Sequence, residues 1–354
     1  MKILYGVVGE GMGHAIRSQV VIDYLLDKGH EFEIVASGQA YSFLASKFKN
    51  VNRIWGLSLA IEDNKVKPIE SALNILGELK EGWPDNFKKY FEITKRFNPD
   101  LVISDFETWS VLYAIKNKVP LICLDNIQAI NRCTHPNFIF KGHKAAYQVT
   151  KGLIKTKIPS ADQYIISSFF KTKPKKKKTI VVPPIIRPMI TSLVPETQNH
   201  ILVYQSSGEF TNLLRTLEKI DFEFKVYGLQ QEFTKPVKIN NVTLYSFSEE
   251  TFIEHLRTCS GVVAPAGFNL IVEALWLKKP YLAIPLKHQI EQLMNARYIQ
   301  AMSIGSISNT FNPTAIENFI ADLPNFTRNY KDLEHFDPKE PLQRLESIIE
   351  QIYS

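Results

Sequence analysis

Only three cysteines occur, Cys123, Cys133 and Cys259, an odd number with no CxxC pair. A disulfide framework and a structural zinc site are therefore both excluded, and a reducing, cytosolic setting is expected. No stretch approaches the roughly 18 consecutive apolar residues needed to span a bilayer. Residues 1–8 begin like a secretory leader, but the apolar run breaks at Gly6 and ends at Gly9-Glu10 with no small-residue cleavage site behind it. That segment reads better as a first β-strand. No repeat of about 20–50 residues is present, which excludes a solenoid or a propeller. Neither charge sign dominates: 42 Lys and Arg stand against 36 Asp and Glu, and the net charge of +6 admits an anionic partner without requiring one. The lysines cluster in one stretch without a stacking-aromatic motif, so nucleic acid is not the expected partner.

What is present suffices for an ordinary core: 45% of the 354 residues are hydrophobic and 22% charged, enough chain for about two domains. The first half alternates short β-branched runs, at 3–8, 32–36, 51–54, 101–104, 121–124 and 164–167, with longer amphipathic stretches. This alternation builds parallel sheets through βαβ crossovers. Between the first two runs, Ile16, Val20, Val21, Tyr24 and Leu25 recur at helical spacing, and Lys28-Gly29-His30 supplies a basic end and a stop. Composition then shifts abruptly across 171–188, where a lysine run is followed by Val182-Pro183-Pro184-Ile185-Ile186-Arg187-Pro188. Charge repulsion and locked φ angles disfavour helix there, so this stretch is expected to be the interdomain linker. A second alternating series follows, with strands near 201–205, 223–226, 242–244, 261–264 and 281–284. The expected division is 1–170, the linker 171–188, 189–325, and a helical tail 326–354 whose Leu342, Leu345, Ile348, Ile349 and Ile352 form an apolar stripe.

Between the first strand and helix lies Gly9-Glu10-Gly11-Met12-Gly13-His14, where glycines let backbone N–H groups approach an anion. A dinucleotide fingerprint would need glycine at His14 and an acid after the second strand, where the chain has Ala36-Ser37-Gly38. Hydride transfer is thereby disfavoured. His14 at a helix start is either a packing histidine or a general base, since neutral imidazole takes a proton near pH 7. Asp105 follows the strand at 101–104, on the sheet edge where the His14 loop emerges. It either caps the next helix or orients the imidazole as a catalytic dyad.

In the second half, Ala264-Pro265-Ala266-Gly267-Phe268 opens a helix carrying Glu273. Gly267 permits close approach of a phosphate to the helix N-terminus, and Glu273 can accept hydrogen bonds from both hydroxyls of a ribose. With Glu273-Ala274-Leu275, with Gln292-Leu293-Met294-Asn295-Ala296, with the glycine loop ending in His14 and with Asp105, the chain resembles the GT-B glycosyltransferases. It is most similar to the MurG-type enzymes of peptidoglycan synthesis and the UDP-glucuronosyl/glucosyltransferases, as an uncharacterised microbial branch of that superfamily. The resemblance covers both halves in the family's order. It implies an α/β fold of two tandem Rossmann-like domains with a cleft between them and a C-terminal helix.

The resemblance further implies that Glu273 binds the ribose of a nucleotide-sugar, UDP-linked in that family, that Gly267 faces its diphosphate and that Gln292 touches the sugar hydroxyls. Ser206-Ser207-Gly208 matches a second phosphate-facing loop, and Phe247 lies where the family holds the nucleobase edge by backbone contacts. Asn295 is expected to fix a helix start. His14 then deprotonates an acceptor hydroxyl, Asp105 orients it, and Gly9, Gly11, Gly13 and Arg187 line the acceptor and phosphate side. No Asp-X-Asp pair occurs, in agreement with transfer that needs no metal or other cofactor, and attack opposite the leaving group implies inversion. The acceptor is a hydroxyl, with a lipid-linked or cell-envelope precursor admitted by an amphipathic stretch at 71–79 within the variable segment 57–83. The lysine run suits either a solvated linker or a peripheral contact with anionic lipid on the inner face of the membrane. Cys133, His135 and His288 receive no role, and Asp125-Asn126-Ile127-Gln128 is a candidate acceptor lining. The same fold also admits a UDP-sugar 2-epimerase, or a nucleotide-sugar-binding regulator without catalysis.

Overall fold

Strands in this chain are short and apolar through almost every position, the pattern of a sheet covered on both faces. In the computed structural model the described residues are 1–56, 61–62, 65–66, 85–86, 88–205, 210–229, 233–333 and 336–353. Ser206, Ser207, Gly208, the stretch 71–79 and nearly all of 57–83 lie outside them. The chain forms two units: Met1–Ala60, Lys67–Arg187 and Phe336–Ser354 make the first, Ile61–Val66 and Pro188–His335 the second.

Through the first unit run β1 (Lys2–Val7), β2 (Glu31–Ala36) and β3 (Val51–Arg53); β4 (Ile61–Glu62) and β5 (Lys65–Val66), which belong to the second unit, pair with each other as a separate two-stranded sheet. After them come β6 (Leu101–Asp105), β7 (Leu121–Asp125), β8 (Gln163–Ser167) and β9 (Thr179–Val182). The sheet order is β3-β2-β1-β6-β7-β8-β9, all parallel. The chain winds one way from β1 to β3 and the other way from β6 onward, so the switch point lies between β1 and β6. Ligands bind at such a point, beyond the carboxyl ends of the strands.

The second unit repeats the plan with β10 (His200–Tyr204), β11 (Glu223–Tyr227), β12 (Val237–Ile239), β13 (Val242–Leu244), β14 (Gly261–Ala264), β15 (Tyr281–Ala283) and β16 (Gly305–Ile307). Its order is β12-β13-β11-β10-β14-β15-β16, and only β12 runs antiparallel to its neighbour. Here the switch point falls between β10 and β14.

Two boundaries differ from expectation. Within the expected linker 171–188, Thr179–Val182 forms β9, paired in register with β8 from Tyr164↔Thr179 to Ser167↔Val182. The lysine run before it is tied down as well: Thr134 N donates to Lys173 O at 2.9 Å and Lys175 N to Arg132 O at 2.8 Å. Repulsion among lysines opposes helix, but an extended chain spreads the charges and leaves its backbone free to pair. The helix Pro313–Asn329 runs across the expected boundary at 325, held at its start by Asn312, whose Oδ1 accepts from Ala315 N at 2.9 Å. The terminal helix Glu340–Tyr353 buries Leu345, Ile348 and Ile349 in the core of the first unit, beside residues such as Ile3 and Val21. Each such side chain taken wholly out of water contributes roughly 1.5–3 kcal/mol. Tyr24 Oη donates to Glu346 at 2.6 Å and Lys28 pairs with it at 2.9 Å, which adds polar contacts to the apolar seam.

Candidate active site

The helix Met12–Asp27 begins just beyond β1, and Gly11 ahead of it takes φ +76°, a conformation natural to glycine. His14, Arg17 and Ser18 stand at helical i, i+3 and i+4, one face of the first turns. That face meets the end of β6, because β1 and β6 pair with Val7 opposite Asp105. Asp105 is completely buried, and three side chains converge on it through four contacts. His14 Nδ1 lies 2.7 Å from Oδ1, Arg17 Nη2 2.5 Å from Oδ1, Arg17 Nε 3.1 Å from Oδ2, and Ser18 Oγ 3.1 Å from Oδ2.

Those contacts select the histidine tautomer. Arg17 Nη2 is also 3.1 Å from His14 Nδ1, yet guanidinium can only donate. With Nδ1 directed at a carboxylate, its proton belongs on Nδ1, the Arg17 approach is a contact between two donors, and Nε2 keeps the lone pair. Burial on its own would raise the Asp105 pKa, but the charges and hydrogen bonds of Arg17 and His14 outweigh it and hold the carboxyl below its ordinary range. The His14 side chain is 14% exposed, so the ring remains reachable while its orienting acid is sealed.

The capping alternative for Asp105 is overturned. Glu107 caps the helix Thr108–Asn117, its two carboxylate oxygens each accepting at 2.6 Å, from Trp109 N and Ser110 N. The turn is tight enough to force Phe106 to φ +54°, a strained conformation for a bulky residue and one that recurs at functional sites. Asp105 is thereby released from any capping duty.

Next along the same edge, β7 ends in Asp125, whose Oδ1 accepts from Gln128 N at 2.7 Å. Its carboxyl is pushed up to about 7, first by burial and then by the Asp105 charge, against the Gln128 N–H and Arg17. Asn126 Oδ1 accepts from Arg17 Nη1 at 2.6 Å, tying this turn to the cluster. Of the loop glycines, Gly9 is explained by packing: a Cβ there would come within 2.7 Å of the Ser37 backbone. Cys133 is buried, and His135 donates from Nε2 to Ala129 O at 2.9 Å and packs against Phe140 and Phe170. Both serve the interior of the first unit. Arg187, half-buried, is its last residue before Pro188.

On the second sheet the corresponding edge is built differently. Gly267 precedes the helix Phe268–Trp276 without a side-chain cap, and a Cβ on it would meet nothing within 4 Å. Asn295, in the middle of the helix Ile290–Ala301, donates from Nδ2 to Ala266 O at 3.0 Å and so steadies that turn. Glu273 is buried at 6% exposure one to two turns further on. Gln292 is spoken for at one end, its Oε1 accepting from Leu286 N at 2.9 Å, which leaves the amide nitrogen as the donor it can offer. In the same loop the exposed His288 holds φ +67°. Phe247 is 64% exposed and its ring lies against Phe252.

Arg17 and Ser18 were not among the candidate residues from sequence, and Asn126, expected there as acceptor lining, is engaged by Arg17 instead. The signal was available as the i, i+3, i+4 spacing of His14, Arg17 and Ser18, three polar residues on a helix face that must meet the sheet.

Two tandem Rossmann-like units of this kind make up the GT-B architecture. The chain belongs to glycosyl transferase family 1, whose family model matches residues 1–324. An uncharacterised glycosyltransferase of Methanosarcina acetivorans is 23% identical over 341 residues, covering 89% of this chain and 88% of that protein. The UDP-N-acetylglucosamine--N-acetylmuramyl-(pentapeptide) pyrophosphoryl-undecaprenol N-acetylglucosamine transferase of Legionella pneumophila (strain Corby) is 27% identical over 108 residues, 28% of this chain and 30% of the enzyme. Among solved structures, Phytolacca americana UGT2 complexed with UDP-2-fluoro-glucose and pterostilbene superposes with TM-score 0.66 at 14% identity over 99% of both chains. MurG of Acinetobacter baumannii superposes with TM-score 0.61 at 14% identity, again over 99% of both. Among the described residues no helix is long and apolar enough to cross a membrane.

Proposed function

We propose that this glycosyltransferase moves a sugar from a UDP-sugar to an acceptor hydroxyl with inversion, His14 acting as the base. The observation that carries this reading is the 2.7 Å contact between His14 Nδ1 and the buried Asp105 carboxylate at the switch point of the first sheet. Nε2 takes the acceptor proton as the acceptor oxygen bonds to the anomeric carbon. The bond from that carbon to the diphosphate breaks, and its electron pair leaves with the nucleoside diphosphate. Asp105 stabilises the imidazolium until the proton passes to water.

Donor binding is assigned to the second unit. Main-chain N–H groups at the helix start beside Gly267 take up diphosphate charge, so the reading calls on no metal, and Glu273 receives the ribose hydroxyls. Gln292 Nε2 faces the sugar, and Phe247, with Ser206, Ser207 and Gly208, completes the donor set; Gly11, Gly13 and Arg187 belong to the acceptor side. The UDP nucleotide is supported by the UDP-2-fluoro-glucose bound to the Phytolacca protein and by the UDP-N-acetylglucosamine that the Legionella enzyme uses. The latter's undecaprenol-linked substrate supports an amphiphilic, lipid-linked acceptor.

The test is the product. With an α-linked UDP-sugar and a simple hydroxyl acceptor, the anomeric NMR coupling should report a β-linked product together with release of UDP. A retained anomer overturns the inverting base mechanism. Conversion of donor without any acceptor would point to an epimerase, and UDP binding without turnover of any sugar nucleotide to a regulator.

A further inference from the structure

We propose that Arg17 is a positioning residue of the transfer reaction, clamping Asp105 so that Oδ1 addresses His14 and opposing protonation of the imidazole by its fixed charge. This rests on the reading of His14 as the base. The guanidinium is 2% exposed and every one of its nitrogens is engaged. Nε and Nη2 grip the two oxygens of Asp105 at 3.1 and 2.5 Å, while Nη1 reaches Asn126 Oδ1 at 2.6 Å. A two-point grip fixes the plane of a carboxylate as well as its position, which a single hydrogen bond cannot do. Ser18 Oγ holds Oδ2 from the same helix, leaving Oδ1 to the histidine and the arginine.

The second consequence is electrostatic. An imidazole beside a buried carboxylate is drawn toward its charged form, and a base already charged cannot accept the acceptor's proton. Nη2 stands 3.1 Å from Nδ1, so a protonated ring would face a permanent like charge only slightly farther off than the Asp105 oxygen at 2.7 Å. Arg17 therefore sets a fixed positive charge against the carboxylate's negative one at the same ring nitrogen. The other titratable groups around the cluster are Tyr5 from β1, Cys123 and Asp125 from β7, Glu107 beyond β6, and the Glu10–Lys157 pair at 3.9 Å beside the loop. Arg17 touches both members of the dyad.

Two variants separate grip from charge. Arg17→Gln removes both, so the His14–Asp105 pair should take up its proton at higher pH, moving the acid limb of the kcat profile up by about one unit or more. Arg17→Lys keeps a charge but loses the two-point grip. It should leave the acid limb near that of the wild type while lowering kcat by about 10–100-fold, with donor KM little changed. Ring-nitrogen NMR of His14 reads the same titration and the Nδ1–H tautomer without turnover. A folded Arg17→Gln protein with an unshifted His14 titration and unchanged kcat overturns the proposal, as does an Arg17→Lys protein of wild-type kcat. The base reading fails separately, if removing His14 leaves turnover intact while the Arg17 variants still move the ring titration.

Discussion

The two sheets follow one plan and finish their switch points in opposite ways. In the first, the strand beside β1 ends in a side chain: Asp105, opposite Val7, gathers His14, Arg17 and Ser18 into a sealed ionic cluster. In the second, the strand beside β10 ends in Ala264 and runs into Pro265-Ala266-Gly267, where little but main chain is presented, steadied from behind by Asn295. A proton must be moved by a group of defined tautomer and orientation, which requires side chains locked by their neighbours. A diphosphate needs only a converging set of N–H dipoles and room to approach them. The same scaffold thus lends itself to chemistry at one edge and to anion binding at the other.

The sharpest way to break that contrast is to remove one group from each edge. His14→Ala should lower kcat by roughly 10²–10⁴, the usual worth of a positioned base, and leave donor KM nearly unchanged. Glu273→Gln should do the reverse, raising donor KM by about tenfold, on the order of 1.4 kcal/mol for losing the charge from a hydrogen bond, with a smaller change in kcat. Steady-state kinetics in both variants decides it. If His14→Ala raises KM alone, or Glu273→Gln lowers kcat alone, the division of labour between the two edges is wrong.

A second prediction concerns what the ionic edge costs the fold. Asp125 sits in the shadow of Asp105, and its folded pKa of about 7 lies above the ordinary carboxylate value. Between those two values the folded protein binds a proton that the unfolded chain has released, so this group's contribution to stability declines as pH rises from about 4 to about 7 and is gone above that. Asp125→Asn keeps the acceptor for Gln128 N and abolishes the decline. Its unfolding free energy relative to wild type, followed by the difference in melting temperature, should therefore climb over that interval by up to ~1.4 kcal/mol per pH unit and then level off. A difference that does not vary with pH would mean that Asp125 carries no such strain.

Much of this edge was legible beforehand. A glycine loop at a helix start and an acid at a strand end are both tied to the carboxyl side of a doubly wound sheet, so His14 and Asp105 could be brought together without coordinates. Arg17 was not, because a charged residue inside an apolar helix pattern reads as surface until its burial is known. In β9 the β-branched Thr179-Ile180-Val181-Val182 was hidden behind lysines, whose repulsion argues against helix but says nothing against a strand. The terminal helix showed its stripe plainly, yet periodicity carries no address, and only packing assigns Leu345 and Ile349 to the first core. Gly305–Ile307 and Val237–Ile239 are three residues each, too short for an alternation to register.

The smallest expected effects come from one glycine on each edge, and they test the same contrast through the backbone. At Gly9 an added Cβ would lie 2.4 Å from Ser37 Oγ and 2.7 Å from the Ser37 carbonyl carbon and oxygen. Backbone cannot swing aside as a side-chain tip can, so Gly9→Ala should cost about 1–3 kcal/mol, the range for overpacking, and lower the melting temperature by several degrees. At Gly267 the same methyl group meets nothing within 4 Å. Gly267→Ala should change stability only by the modest loss of a favourable position ahead of a helix, but raise donor KM, because the space it fills is the space a phosphate would use. If donor KM is unmoved, the opening at Gly267 is not where the diphosphate lies. If Gly9→Ala melts like wild type, the loop has yielded, and the close fit against Ser37 is not what holds His14 at its station.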